Sequence, residues 1–225
     1  MNRTPIPLKL VAALALGLAA GLLTAGCSLR QAADAAPTGG PTSSPAAAAA
    51  SASASSPAPA GRFDYPAAAP APRLDLVDQD GRPFELASLS GTPVLVYFGY
   101  THCPDVCPAT VGVLNQVIGR AGIPVRAIIV TVDPERDTPA ALKEYLVYLP
   151  PAYIGLTGAA TAIRTAADAW GVTYARIDTS SASGYAMAHT AEVYLVDAAG
   201  RLRAHYPFGT EAPAILADLA RFTPH

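Results

Sequence analysis

Cysteine, tryptophan, methionine and charge are all scarce in this chain. Among 225 residues there are three Cys, one Trp, two Met and four His. Three cysteines exclude a disulfide-dense scaffold and a four-cysteine zinc site. Charged side chains amount to 14%, the net charge is −2 and the pI is near 6.0, so nothing marks a nucleic-acid binder. Low charge beside 51% hydrophobic residues also excludes a generally disordered chain. Proline (22) and glycine (18) are plentiful instead, which calls for many turns or a low-complexity stretch.

The first segment reads as an address. Arg3 and Lys9 are the only charges in residues 1–27, and the 17 residues from Leu10 to Gly26 carry none. A basic stretch followed by an apolar one is the pattern of a secretory signal. It ends in Leu23-Thr24-Ala25-Gly26-Cys27, which resembles the bacterial lipobox and implies a lipidated Cys27 after cleavage. Thr24 departs from the leucine usual three places before that cysteine. The alternative is an uncleaved membrane helix, at the short limit for a span of about 20 residues. Both readings anchor the chain and place the rest outside the cytoplasm. Residues 28–62 follow as an Ala/Ser/Pro-rich tether without a large apolar side chain between positions 31 and 60. Such a stretch cannot bury enough surface to offset chain entropy. Its reach of roughly 30 Å lets a folded domain search the space just above a membrane.

Residues 63–225 suffice for one domain. Arg73–Gln79 alternates apolar and polar residues, Asp80-Gly81 turns, and Arg82–Leu86 completes a predicted β-hairpin. Pro93–Tyr100 and Val125–Val132 are nearly continuous apolar runs, predicted to be buried strands. Helices are expected over Cys107–Arg120, over Thr138–Leu149 with Thr138 as cap, and over Ala159–Trp170 closed by Gly171. Val172–Ile177 reads as a short strand. Thr190–Asp197 and Leu202–Tyr206 read as a hairpin, and Glu211–Phe222 as a closing helix. This order predicts an α/β fold: a mixed central sheet flanked by helices, with an N-terminal β-hairpin. A cysteine motif between the first buried strand and its helix makes the arrangement thioredoxin-like.

That motif is Tyr100-Thr101-His102-Cys103-Pro104-Asp105-Val106-Cys107-Pro108. Two cysteines four apart open a helix, where the macrodipole lowers thiol pKa, so the sulfurs are expected to be reactive or metal-binding. Asp105 lies inside the loop, placed to tune its charge. The bland alternative is a structural disulfide, although so short a loop gains little from cross-linking. Three intervening residues, rather than the usual two of thiol–disulfide oxidoreductases, make room for an atom between the sulfurs. Two thiolates suit Cu(I) but leave its coordination underdetermined. Of the four histidines, His225 is terminal, His205 is expected on the solvent face of the last hairpin, and His102 points away from its neighbour Cys103. His189 precedes the apolar strand. In thioredoxin-like proteins the loop there faces the cysteines and supplies a cis-proline, but no proline occurs between Gly171 and Tyr206. A histidine stands in that place.

Three motifs together resemble the Sco (SenC) family of copper-binding proteins: Tyr100–Pro108, Thr131–Pro139 (TVDPERDTP) and Tyr185–Asp197 (YAMAHTAEVYLVD). The resemblance runs from about Leu74 to the last helix. It implies a thioredoxin fold and one copper ion, Cu(I) or Cu(II), bound by Cys103, Cys107 and His189. It also implies delivery to the CuA centre of cytochrome c oxidase subunit II at the outer face of the cytoplasmic membrane. An upstream copper donor and a thiol reductant are then required as further partners, because Cys103 and Cys107 can form a redox-active disulfide and must be reduced to bind the metal. Asp133 becomes a candidate for organising the site or docking the partner; alternatively, its Asp-Pro and Thr-Pro surroundings merely turn the chain and cap the next helix. Two functions compete: a copper chaperone, and an exported thiol–disulfide oxidoreductase that reduces the CuA-site cysteines, with Cys103 attacking and Cys107 resolving. A distant imidazole favours the chaperone.

Overall fold

The computed structural model describes residues 62–65, 69–180 and 184–223. The anchor expected over 1–27 with Cys27, the tether up to residue 61, and His225 lie outside the described residues. Within them, no helix is long and apolar enough to cross a membrane.

The centre of the molecule is β4 (Val94–Gly99), every residue of which is buried. It pairs in parallel with β5 (Arg126–Thr131), and β5 pairs in parallel with β6 (Tyr153–Thr157). On the other side β4 pairs antiparallel with β9 (Val193–Val196), β9 with β10 (Leu202–Tyr206), and β10 with β1 (Phe63–Asp64). The hairpin of β2 (Leu76–Asp78) and β3 (Pro83–Phe84) joins antiparallel to β6. The result is one mixed sheet of eight strands. Parallel strands buried on both faces read as continuous apolar runs, which is why β4 and β5 were plain in the sequence.

Side-chain alternation assigns the helices to faces. Tyr97, Tyr153 and Tyr206 look toward one layer. Tyr153 Oη donates to Asn115 of α1 (Val106–Arg120), and Tyr206 Oη donates to the buried Asp218 of α4 (Ala212–Phe222). Helix α2 (Pro139–Leu146) lies in the same layer over Gly155, where a Cβ would come within 3.3 Å of Leu142 and Leu146. Phe98 and Tyr194 look the other way, toward Trp170 at the end of α3 (Ala160–Ala169). Thr138 caps α2 by accepting from the Ala141 N–H, and Gly171 leaves α3 at φ +71°, as expected from their residue types.

Three strands are additions to the sequence reading: β1, β6 and Tyr185–His189. β6 is short, follows two prolines and is interrupted by Gly155, so its apolar run is weak; the glycine is there because α2 presses on it. β7 (Tyr174–Asp178) and β8 (Tyr185–His189) form a second, two-stranded sheet, with Tyr174 opposite His189. Thus the strand expected at Val172–Ile177 begins two residues later, and His189 ends a strand instead of lying in a loop. His205 also differs from expectation. It is only 21% exposed, stacked on Phe63 at 5.2 Å and bonded through Nδ1 to Tyr65 Oη at 2.9 Å. The reason is β1, which covers this edge and sets Phe63 opposite His205.

Candidate metal centre

The chain leaves β4 at its C-terminal end and turns through Tyr100–Asp105 into α1. Cys103 lies in the turn, half-buried, and Cys107 in the first helical turn, buried. The free N–H of Cys107, one of the donors that a helix start leaves unpaired, points to Cys103 Sγ at 3.3 Å. His189, at the end of β8, reaches the same place: its Nε2 is 3.7 Å from Cys107 Sγ. The two sulfurs and one imidazole nitrogen all lie within 4.8 Å of one another.

The tautomer of His189 is fixed by its other nitrogen. Nδ1 is 3.0 Å from the Thr190 carbonyl oxygen, which can only accept, so Nδ1 carries the proton and Nε2 keeps its lone pair. Burial lowers the pKa of this histidine, which therefore stays neutral at physiological pH. Burial also pushes the Cys107 thiol up to about 12, with the hydrogen bond to Cys103 adding to the shift. This differs from the lowered thiol pKa expected of a helix N-terminus. Desolvation can shift a buried group by several units, more than a helix end supplies. A metal ion must therefore displace a proton at Cys107, as thiolate ligation generally requires. The donor set of two soft sulfurs and a neutral imidazole, with Cys103 partly open to solvent, fits one copper ion.

Two carboxylates of the TVDPERDTP motif support the site, by different routes. Asp137, completely buried, accepts from the Thr101 N–H at 3.0 Å, the Thr101 hydroxyl at 2.5 Å and the Thr131 hydroxyl at 2.7 Å. It fastens the start of the cysteine turn to the end of β5. Asp133 bonds to the Arg136 guanidinium and accepts from Tyr185 Oη at 2.9 Å, at the other end of the strand that carries His189. Tyr185 is sandwiched between Arg136 and Arg176, each 3.8 Å from its ring centroid. A bond from the Met187 N–H to Tyr100 Oη at 3.3 Å closes β8 onto the end of β4.

Of the residues singled out in the sequence, Cys103, Cys107 and His189 converge. Asp133 contacts none of the three directly. His102 is half-exposed, bonded to Thr101 Oγ1, and outside the ligand group. Asp105 precedes α1 without capping it through its side chain. Sequence reasoning missed Asp137 and Tyr185. The signal for Asp137 was present, a second carboxylate one helical turn beyond Asp133. Tyr185 gave none, because its role depends on a strand pairing invisible to periodicity.

A central α/β sheet with a dithiol–imidazole cluster where its first buried strand meets its helix defines a thioredoxin-like metal-binding protein. The chain belongs to the SCO1/SenC family, whose profile matches residues 65–223. It is 38% identical over 137 residues to an SCO2-like protein of Rickettsia conorii, covering 59% of this chain and 67% of that one. It resembles the structure of Bradyrhizobium japonicum ScoI with copper bound, with 37% identity, a TM-score of 0.61, and coverage of 69% of this chain and all of that one. It also resembles BsSco, described by its disulfide switch and as a member of the Sco family of cytochrome c oxidase assembly proteins. There the identity is 25% and the TM-score 0.55, over 69% of this chain and 94% of BsSco.

Proposed function

We propose that this chain is a copper chaperone that hands one copper ion to the CuA centre of cytochrome c oxidase subunit II at the outer face of the cytoplasmic membrane. The convergence of Cys103, Cys107 and His189, with the imidazole already in the ligating tautomer, carries this reading. Cys103 is half-exposed, so an incoming thiolate or imidazole can displace one ligand at a time. The copper held by the Bradyrhizobium relative supports the metal, and the description of BsSco supports oxidase assembly. The composition of residues 1–62 supports the remaining parts of the proposal: a signal or anchor over 1–27, lipid on Cys27, and a tether that sets the reach. Asp133 serves as an organiser of the site, holding Arg136 and Tyr185 at the root of the strand that bears His189.

A second reading, reduction of the CuA-site cysteines, has one observation in its favour. The Cys107 N–H points at Cys103 Sγ, the half-exposed sulfur that would attack, and Cys107 is near enough to resolve the mixed disulfide. The two readings part in one experiment. The full chain, purified reduced, is loaded with one equivalent of copper and mixed with metal-free subunit II. The chaperone reading expects the CuA absorption to appear while copper leaves the chain. Suppose instead that the copper-free dithiol form restores the centre equally well from oxidised subunit II and free copper. Then reduction is the function and delivery is not.

A further inference from the structure

Below the two ligands Cys107 and His189 lies a polar group that the site described so far does not use. Tyr97, on β4, is completely buried, and its ring meets that of His189 edge-on at 6.1 Å. Its ring edge and the Cys107 sulfur crowd the same spot above Gly99. A Cβ placed there would lie 2.6 Å from Tyr97 Cε1 and 3.2 Å from Cys107 Sγ. The Tyr97 hydroxyl is enclosed without a hydrogen-bond partner of normal geometry. Its polar neighbours are Cys107 and Thr110. The Thr110 hydroxyl donates to the Val106 carbonyl at 2.9 Å, which leaves its oxygen free to accept, yet no bond of normal geometry joins it to Tyr97. A phenol, with an ordinary pKa of about 10, is protonated at neutral pH and so can donate.

A buried hydroxyl without a partner is costly, and a phenylalanine would fill the same space without that cost. The orphan therefore points to an acceptor that exists in another state of the site. A thiol is a poor acceptor, whereas a sulfur that has exchanged its proton for a metal is a good one. We propose that Tyr97 is a positioning residue of the copper site, donating its hydroxyl proton to the metal-bound sulfur of Cys107. This rests on the assignment of copper to Cys103, Cys107 and His189. The hydrogen bond favours the loaded form and withdraws electron density from that sulfur, one of the levers by which a protein tunes a copper–thiolate centre.

The test compares the full wild-type chain with Tyr97→Phe, both reduced and loaded with one equivalent of copper. Tyr97→Phe should weaken Cu(I) binding about tenfold, the lower end for lost outer partners of metal ligands. Cu(II) binding should fall less, because an undamped thiolate is the better donor to it. The Cu(II)/Cu(I) potential should accordingly drop, and the sulfur-to-copper(II) charge-transfer band should move to lower energy. Incorporation of 3,5-difluorotyrosine at position 97, a stronger donor of the same shape, should move the band and the potential the opposite way. Thr110→Ala should leave both near wild type. If Tyr97→Phe binds copper with unchanged affinities, potential and band, the residue is core filling and the inference is wrong. If Tyr97→Phe fails to fold, the difluorotyrosine protein decides alone: an unshifted band overturns the proposal. Should the wild-type chain itself bind no copper at one equivalent, the site assignment fails before Tyr97 is tested.

Discussion

The cysteines and the histidine reach the same point on very different supports. Cys103 and Cys107 extend from β4, buried along its whole length and paired on both edges, and Asp137 fastens their turn through three hydrogen bonds. His189 ends a two-stranded sheet outside the main one, whose β7 is mostly exposed. That hairpin is joined to the body near the site by the Tyr185 stack, the Asp133 carboxylate and the Met187–Tyr100 bond. Stability is not uniform across a structure, and strands with few buried contacts open most readily. The difference would suit the proposed carrier, in which the sulfurs would hold the metal on rigid ground and the imidazole would sit on the arm that can yield.

The strongest test of this asymmetry removes a sulfur. Cys103→Ala or Cys107→Ala should abolish tight copper binding, since no other soft anionic donor lies in the ligand group. Competition with a Cu(I) chelator reads this directly, and one-equivalent binding at unchanged affinity would remove the site from consideration. His189→Ala should act differently in kind. Two thiolates hold Cu(I) almost linearly, so Cu(I) binding weakens but persists, whereas Cu(II), which prefers more ligands with nitrogen among them, suffers more. The fold should survive because His189 ends its strand. Equal losses for both valences would mean that sulfur and imidazole are not distinct in role.

Proton competition sharpens the same contrast. With its pKa at about 12, Cys107 carries a proton at neutral pH, and copper must displace it. Each unit of rising pH makes that displacement about tenfold easier, so the apparent affinity should climb by at least one decade per unit between pH 7 and 9. The histidine contributes nothing to this slope, because its lowered pKa leaves it neutral throughout the range. His189→Ala should therefore show the same slope at a lower affinity. A flat profile in the wild type would show that Cys107 is already ionised.

How the two supports were written in the sequence differs as well. The rigid one was legible: apolar runs for β4 and β5, Pro108 and the cysteine spacing for α1, Thr138 for the cap of α2. These signals are local and their periods are short. His189 was legible through what the chain lacks, a proline where such folds place one. The hairpin that holds it was not. Tyr185–His189 alternates too weakly to announce a strand, and it forms one only because Tyr174–Asp178 pairs with it. Asp137 went unnoticed for a related reason. Its partners Thr101 and Thr131 are 36 and 6 residues away, and only the parallel pairing of β4 with β5 brings them together.

Cutting one fastening on each side compares the supports directly. Asp137→Ala would strand the Thr101 N–H and two hydroxyls around a buried void. Leaving buried donors unpaired costs about 1–3 kcal/mol each at most, so a loss of several kcal/mol and a lowered Tm are expected. Denaturant unfolding measures it, and a loss under about 1 kcal/mol would show that the cysteine turn stands without this carboxylate.

The smallest effect is expected on the other side, from Tyr185→Phe. The ring stays between Arg136 and Arg176, so the cation–π stack survives. Only the hydroxyl bond to Asp133 is lost, and Asp133 keeps the Arg136 guanidinium. A net hydrogen bond is worth about 0.5–1.5 kcal/mol, and a half-buried one belongs at the low end. Global stability should thus fall by roughly that amount or less. The local consequence should be larger than the global one. Amide exchange should quicken in Arg176–Asp178 and Tyr185–His189, while Val94–Gly99 remains as protected as before. Cu(II) binding, which leans on His189, should weaken slightly more than Cu(I). Were exchange to quicken equally in the hairpin and in β4, the two supports would open as one body, and the yielding arm would not exist.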